Sequence, residues 1–207
     1  MTSDRAEDGG GHRQRHSAAH SGEPDPREAI AGQLRTVEST EVYRNAWMRV
    51  REDRFERADG STGVYGVVDK PDFAIVVAEQ DGVFHLVEQF RYPVGRRSWE
   101  FPMGGWPPGK SGSMLELAQA ELREETGLTA ASWRLLGRQN EAVGFCSQGF
   151  DIFSATGLTP GEHAREETEA DMVYRSFSEP QLRDMIVNGT ILDAATVAAY
   201  GLWLLNH

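Results

Sequence analysis

The stretch GSMLELAQAELREETGL, Gly112 to Leu128, fixes a helix at both ends. Ser113 followed three residues later by Glu116 is a capping box, in which each side chain bonds the other residue's backbone amide. Gly127 supplies the left-handed stop and Arg123 lies in the last turn, so the spacing predicts a helix over Met114–Thr126. This helix is set into a chain that is otherwise β-rich from Thr36 onward. STEVYRNAWMRVREDRFERADGSTGVYGVV reads as strands broken at Asp59-Gly60, and FAIVVAEQDGVFHLVEQFRY as a hairpin turning at Asp81-Gly82. Strands before and after one bracketed helix make the chain α+β rather than a run of βαβ units.

After the helix, RLLGRQNEAVGF (134–145) and GFDIFSATGL (149–158) read as further strands, followed by the acidic loop GEHAREETEAD and a strand MVYRSF. Two helices close the chain. Ser178 and Gln181 cap EPQLRDMIVNG, and Asp193 opens AATVAAYGLWLL, whose apolar content predicts deep packing. Residues 1–35 lack large apolar side chains almost entirely and read as a flexible tail. His12, His16 and His20 fall at i, i+4 and i+8, a metal-binding stripe on a helix, but Gly9, Gly10 and Gly11 beside them argue for a solvated tail.

The length suits one domain, residues 36–207. No apolar run approaches a membrane span, no apolar core of a secretory signal is present, and the single cysteine, Cys146, excludes an intrachain disulfide framework. These features predict a cytoplasmic protein that binds no membrane. A net charge of -11 disfavours nucleic acid as a partner but not an anionic small molecule, because a bound cation reverses the field around a carboxylate cluster.

Glu121, Glu124 and Glu125 supply such a cluster. On a helical wheel they fall within an arc of about 100°, next to an apolar stripe of Leu115, Ala118 and Leu122, and therefore at the edge of the buried face. Like charges at this spacing repel by a few tenths of a kcal/mol per pair unless a cation relieves them. Oxygen-only sites suit Mg²⁺ or Mn²⁺. Taken alone, three acidic residues on one helix read first as a solvated charged face, and the context is what points to a metal. The preceding WEFPMGGWPPGKSG is rich in Gly and Pro, which brings main chain close to a ligand, with Gly104 and Gly105 the foremost candidates.

The stretch Gly105–Leu128 resembles the Nudix box, whose second half stands here as AELREETGL, complete except for its arginine. The box's arginine position holds Ala120 and its first glutamate position Gly112, and the loop from Gly105 is one residue longer than the pattern. VEQFRYPVGRRSWEFPMGG (87–105) and ILDAATVAAYGLWLL (191–205) are similar to the ADP-ribose pyrophosphatase branch of that family. The resemblance implies a Nudix fold, an α/β/α sandwich with a mixed sheet. It also implies N-terminal antiparallel strands over residues 36–70 that help to form a homodimer.

It further implies Glu121 and Glu125 as ligands of Mg²⁺ or Mn²⁺, Glu124 as a ligand or orienting catalytic neighbour, and the Met103 backbone carbonyl as a further ligand. Arg91 matches an arginine that faces substrate phosphates or serves the fold. The loop REETEAD offers Glu166, Glu167 and Glu169 as an assisting base, Glu167 foremost, or else a plain acidic surface. The implied activity is metal-dependent hydrolysis of the pyrophosphate bond in a nucleoside diphosphate linked to a sugar, ADP-ribose first. No covalent intermediate is needed, which suits a chain whose Cys146 and His85 form no recognisable nucleophilic pair. Gly112 and Ala120 motivate one alternative, a domain that binds a nucleotide or metabolite as a sensor; a second, an enzyme acting on another phosphorylated substrate, stays open because the sequence shows no adenine pocket.

Overall fold

The computed structural model describes residues 34–161 and 171–207. The tail histidines and the candidate bases Glu166, Glu167 and Glu169 lie outside the described residues. Ten strands and three α-helices follow in order: β1 (Leu34–Arg44), β2 (Arg49–Arg57), β3 (Thr62–Asp69), β4 (Phe73–Gln80), β5 (Val83–Arg91), β6 (Arg96–Glu100), β7 (Met103–Gly105), α1 (Met114–Thr126), β8 (Leu128–Asn140), β9 (Gly149–Pro160), β10 (Val173–Ser178), α2 (Glu179–Val187) and α3 (Ala194–Leu205).

The unbroken apolar run of β4 has its cause in position: the strand lies inside the larger sheet and is covered on both faces. Phe73, Ile75 and Val77 pack into a core with Leu182 of α2 and Ala195, Ala199 and Trp203 of α3. Ala74, Val76 and Ala78 point the other way, onto Leu117, Ala118 and Leu122 of α1. A sheet between helices on each side is the expected α/β/α sandwich. Its strand order is β10-β5-β4-β9-β8, with β6 on β5 and β7 on β4. The β4–β9 pairing is parallel and the β4–β5 pairing antiparallel, so the sheet is mixed.

The hairpin at Asp81-Gly82 forms as the sequence predicts, with φ of 55° and 76° at the two turn residues. Yet β4 and β5 pair only at Glu79↔Phe84 and Gln80↔Val83 before they diverge. Beyond that point β7 pairs with β4 through Phe73↔Gly105, and β6 pairs with β5 through Arg91↔Arg96. Residues from all four strands at the open end of this fork line the cavity described below.

Strands β1–β3 form a separate antiparallel sheet. It begins at Leu34, earlier than the tail boundary at residue 35 predicts, because Leu34 and Arg35 pair with Arg57 and Glu56. Every residue of β1 is exposed. The sheet is tied to the body through Val68, whose N–H donates to the Phe145 carbonyl at 2.8 Å and whose carbonyl accepts from Ser147 N–H at 3.0 Å.

One strand is displaced from its expected place. β8 starts at Leu128, directly after α1, and ends at Asn140 rather than Phe145. Its first residues pair with Leu158–Pro160, a partner far along the chain, while residues 142–146 close a turn through Phe145 and Cys146 N–H donation to the Ala142 carbonyl. Among the described residues no helix is long and apolar enough to cross a membrane.

Candidate active site

Helix α1 is built as its ends dictate. Ser113 Oγ accepts from Glu116 N–H at 3.2 Å and Glu116 Oε2 accepts from Ser113 N–H at 2.8 Å. Gly127, at φ 73°, ends the helix and donates to the Arg123 carbonyl. The buried face differs from the one the wheel predicts. Leu117, Ala118, Leu122, Glu125 and Thr126 are buried, while Leu115, in the first turn, is 39% exposed. The cause is that β4 and β7 cover the line from Ala118 to Glu125, so Leu117 rather than Leu115 forms one wall. Glu125 thus sits in the middle of the buried face, 1% exposed, and not at its edge.

A carboxylate so placed needs a partner, and Glu125 Oε2 accepts a hydrogen bond from Met103 N–H at 3.1 Å. Glu121, one turn earlier and half-buried, lies against the next residue of β7. A Cβ added to Gly104 would stand 2.4 Å from Glu121 Oε1, so the glycine lets this carboxylate rest on the strand, and a side chain there would push it away. The structure therefore brings Glu121, Glu125, Met103 and Gly104 together, and places Glu124 farther round the helix, half-buried.

This arrangement suits a hard divalent cation. Among the described residues no three acidic, imidazole or thiol side chains already form a metal-binding group, but Mg²⁺ typically takes only one or two carboxylates and keeps several waters. Two glutamates an i, i+4 step apart, one backed by a main-chain amide and the other lying on glycine backbone, supply that oxygen-only set.

Beside β7 opens a cavity of about 560 Å³, within the usual range for small-molecule sites. Met103, Gly104, Gly105 and Arg91, all candidates from the sequence, line it. Arg91 Nε donates to both oxygens of Glu100 at 2.9 Å. The Glu100 side chain is 2% exposed and that of Arg91 40%. Burial pushes the Glu100 carboxyl above its ordinary range, and the hydrogen bond from Arg91 offsets part of that. Burial is the largest single effect on Arg91 and opposes its charge, but the hydrogen bond and field of Glu100, with the fields of Asp193 and Glu125, together outweigh it, so the guanidinium stays charged. Arg91 thus serves the fold through Glu100 while its half-exposed side chain faces the cavity.

Several cavity residues escape a reading of the sequence. Lys70 follows β3 and Glu141 follows β8; both line the cavity with Asp193, the cap of α3. Burial pushes the Glu141 carboxyl up and Asp193 adds to the shift, while Lys70 and Arg91 pull it down. Glu100 had a signal, a charge between the aromatic residues Trp99 and Phe101, whereas Lys70 and Glu141 had none.

Comparison with known proteins places both parts of the chain in known families. Residues 35–68 match the nucleoside diphosphate sugar hydrolase N-terminal domain family, and residues 69–188 match the NUDIX domain family. The chain is 30% identical over 170 residues to an ADP-ribose pyrophosphatase of Mycobacterium tuberculosis, an overlap covering 79% of each chain. It is 27% identical over 169 residues to an ADP-ribose pyrophosphatase of Bacillus subtilis, covering 80% of this chain and 89% of that one. It is 25% identical over 169 residues to a methanol dehydrogenase activator of Bacillus methanolicus, with the same coverage of 80% and 89%. A crystal structure of an ADP compounds hydrolase shares the fold, with a TM-score of 0.73 at 21% identity over 84% of this chain and 95% of the other.

Proposed function

The chain belongs to the Nudix family as a pyrophosphohydrolase, and on that premise we propose that it hydrolyses the pyrophosphate bond of a nucleoside diphosphate linked to a sugar. ADP-ribose is the first candidate, and the products are a nucleoside monophosphate and a sugar phosphate. The observation that carries the reading is the convergence of Glu121 and Glu125 on Met103 and Gly104, at the wall of a cavity that also presents Arg91.

Glu121, Glu125 and the Met103 carbonyl would hold Mg²⁺ or Mn²⁺, with Glu124 a ligand or orienting neighbour. When bound, the cation neutralises phosphoryl oxygens and lowers the pKa of a bound water. Arg91, kept charged by Glu100, orients the diphosphate, and Gly104 and Gly105 let it approach the main chain. Glu167, or its neighbour Glu166, takes the proton of the attacking water. Lys70 and Arg91, which line the cavity, and the cation that α1 would hold would together let an acidic protein receive an anionic substrate. The N-terminal sheet, with its uncovered β1, forms a homodimer, and the enzyme works in the cytoplasm.

The test is release of nucleoside monophosphate from a panel of ADP-ribose, other sugar nucleotides and dinucleoside polyphosphates, in Mg²⁺ or Mn²⁺ and with chelator. Metal-dependent turnover of the sugar nucleotides is expected. Turnover confined to dinucleoside polyphosphates, or none by folded protein, overturns the substrate assignment.

A further inference from the structure

The two departures in the box, Gly112 and Ala120, fall beside a packing arrangement that accounts for both. Trp106 follows β7 and leans over the loop that leads into α1. A Cβ on Gly112 would stand 2.7 Å from Trp106 Cζ2 and 3.1 Å from Glu116 Oε2. The space a larger residue 112 would use is therefore taken by an indole ring on one side and a carboxylate on the other.

Neither neighbour is free to leave. Trp106 packs against the core cluster beneath α1. Its Nε1 is buried without a hydrogen-bond partner among the described residues, so it is packing that holds the ring in place. Glu116 is committed to the cap, accepting from both the N–H and the hydroxyl of Ser113 at 2.8 Å. Glu116 also lies one turn before Ala120 on the same helical face, between the two altered positions.

We propose that Trp106, together with the Ser113–Glu116 box, is the positioning device that sets α1 in register over β7, in place of the charged pair that the resemblance assigns to residues 112 and 120. Trp106 clamps the residue just before the helix cap, and the helix then carries Glu121 onto Gly104 and Glu125 onto Met103 N–H. The box has exchanged an ionic lock for an aromatic one. This inference rests on the metal-site reading above but on no particular substrate.

The experiment measures Mn²⁺ affinity by electron paramagnetic resonance, amide exchange across residues 113–117, and kcat and KM on whichever substrate is turned over. Trp106→Ala is expected to weaken Mn²⁺ binding and lower kcat by roughly 10- to 100-fold, with KM changed less and the first turn of α1 less protected. Trp106→Phe is expected to keep most of both. Gly112→Glu with Ala120→Arg, which restores the family pattern, is expected to impair Mn²⁺ binding in the native background and to rescue it in a Trp106→Ala, Glu116→Gln background.

Improved Mn²⁺ affinity on restoring the pattern in the native background would overturn the proposal, as would native affinity and protection in Trp106→Ala. Should Trp106→Ala not fold, Gly112→Ala asks the same question by adding only the Cβ that meets the ring. A loss of Mn²⁺ affinity supports the clamp and an unchanged affinity refutes it. Mn²⁺ affinity and exchange need no substrate, so an incorrect substrate assignment shows separately as absent turnover with the epistasis intact.

Discussion

In the N-terminal sheet carboxylates meet guanidinium groups. Glu38 pairs with Arg54 at 2.9 Å, Glu56 with Arg35 at 2.6 Å, Glu41 with Arg44 at 2.6 Å, and Asp69 receives Arg49 at 2.6 Å and Arg51 at 2.9 Å. On α1 the arrangement is different: Glu125 is buried against a main-chain N–H, and Glu121 is fitted onto a glycine at the wall of a cavity. Both regions carry several carboxylates, but in the first most of them meet arginines, largely at exposed pairs that contribute little. The second sets two carboxylates against the backbone of β7, at Met103 N–H and at Gly104. Acidity is informative only when it is known what each carboxylate touches.

The sharpest way to break this contrast is Glu125→Gln. It is close to isosteric, so the fold should survive, while turnover should fall by more than about 100-fold, beyond the loss typical of residues that only orient a metal's ligands. Steady-state kinetics beside thermal melting checks it, and native turnover would return α1 to the class of ordinary charged faces.

Next in size is Arg91→Ala, which leaves Glu100 buried without its cation. The expected loss is toward the low end of about 3–5 kcal/mol, because the Arg91 side chain is 40% exposed and partly screened. The sign with pH follows from the upward shift of Glu100. A carboxyl whose folded pKa exceeds its unfolded value binds more protons when folded. It therefore favours the fold at low pH and costs stability as pH rises past about 4.3, toward and through the folded value. Without Arg91 the shift enlarges, so denaturant titrations should show the deficit growing from pH 4 to pH 8. A deficit that shrinks with pH would refute this account of the pair.

How far the site could be read from the chain divides along the same line. The ends of α1 are local chemistry, Ser113, Glu116 and Gly127 acting on neighbours, and the helix runs over Met114–Thr126 as the sequence predicts. Asp81-Gly82 is equally local. The centring of Glu125 in the buried face depends on β7, which lies outside the helix, so a wheel could not give it. Arg91 and Glu100 meet only because β5 and β6 pair across their connection. The start of β8 at Leu128 depends on β9, and Lys70 and Glu141 reach the cavity through elements that the sequence places far apart.

Smaller effects are expected in the N-terminal sheet. The hydrogen bond from Arg49 holds the Asp69 carboxyl at about 2, against the opposing effect of burial, with Ser147 and Arg51 assisting. A depressed folded pKa contributes stability that is fully present above the unfolded value near 3.9 and is lost as pH falls toward about 2. Asp69→Asn should cost on the order of 1 kcal/mol at neutral pH. It should also flatten the acid limb of the stability profile between pH 4 and 2. An acid limb as steep as that of the native protein would show that the Asp69 pairs contribute no such stability.

The smallest change in stability should accompany the largest change in assembly. Strand β1 is interrupted by register shifts at Val37 and Val42, and both valines are exposed, at 42% and 60%. Bulges make an edge a poor template for adding another strand, so a second copy covering β1 must pack on its side chains rather than extend its ladder. Val37→Lys with Val42→Lys should then leave the melting midpoint of the body nearly unchanged, within about 0.5 kcal/mol per site, and convert a dimer to a monomer in sedimentation. A variant that stays dimeric would move the interface off β1, and the uncovered valines would need another explanation.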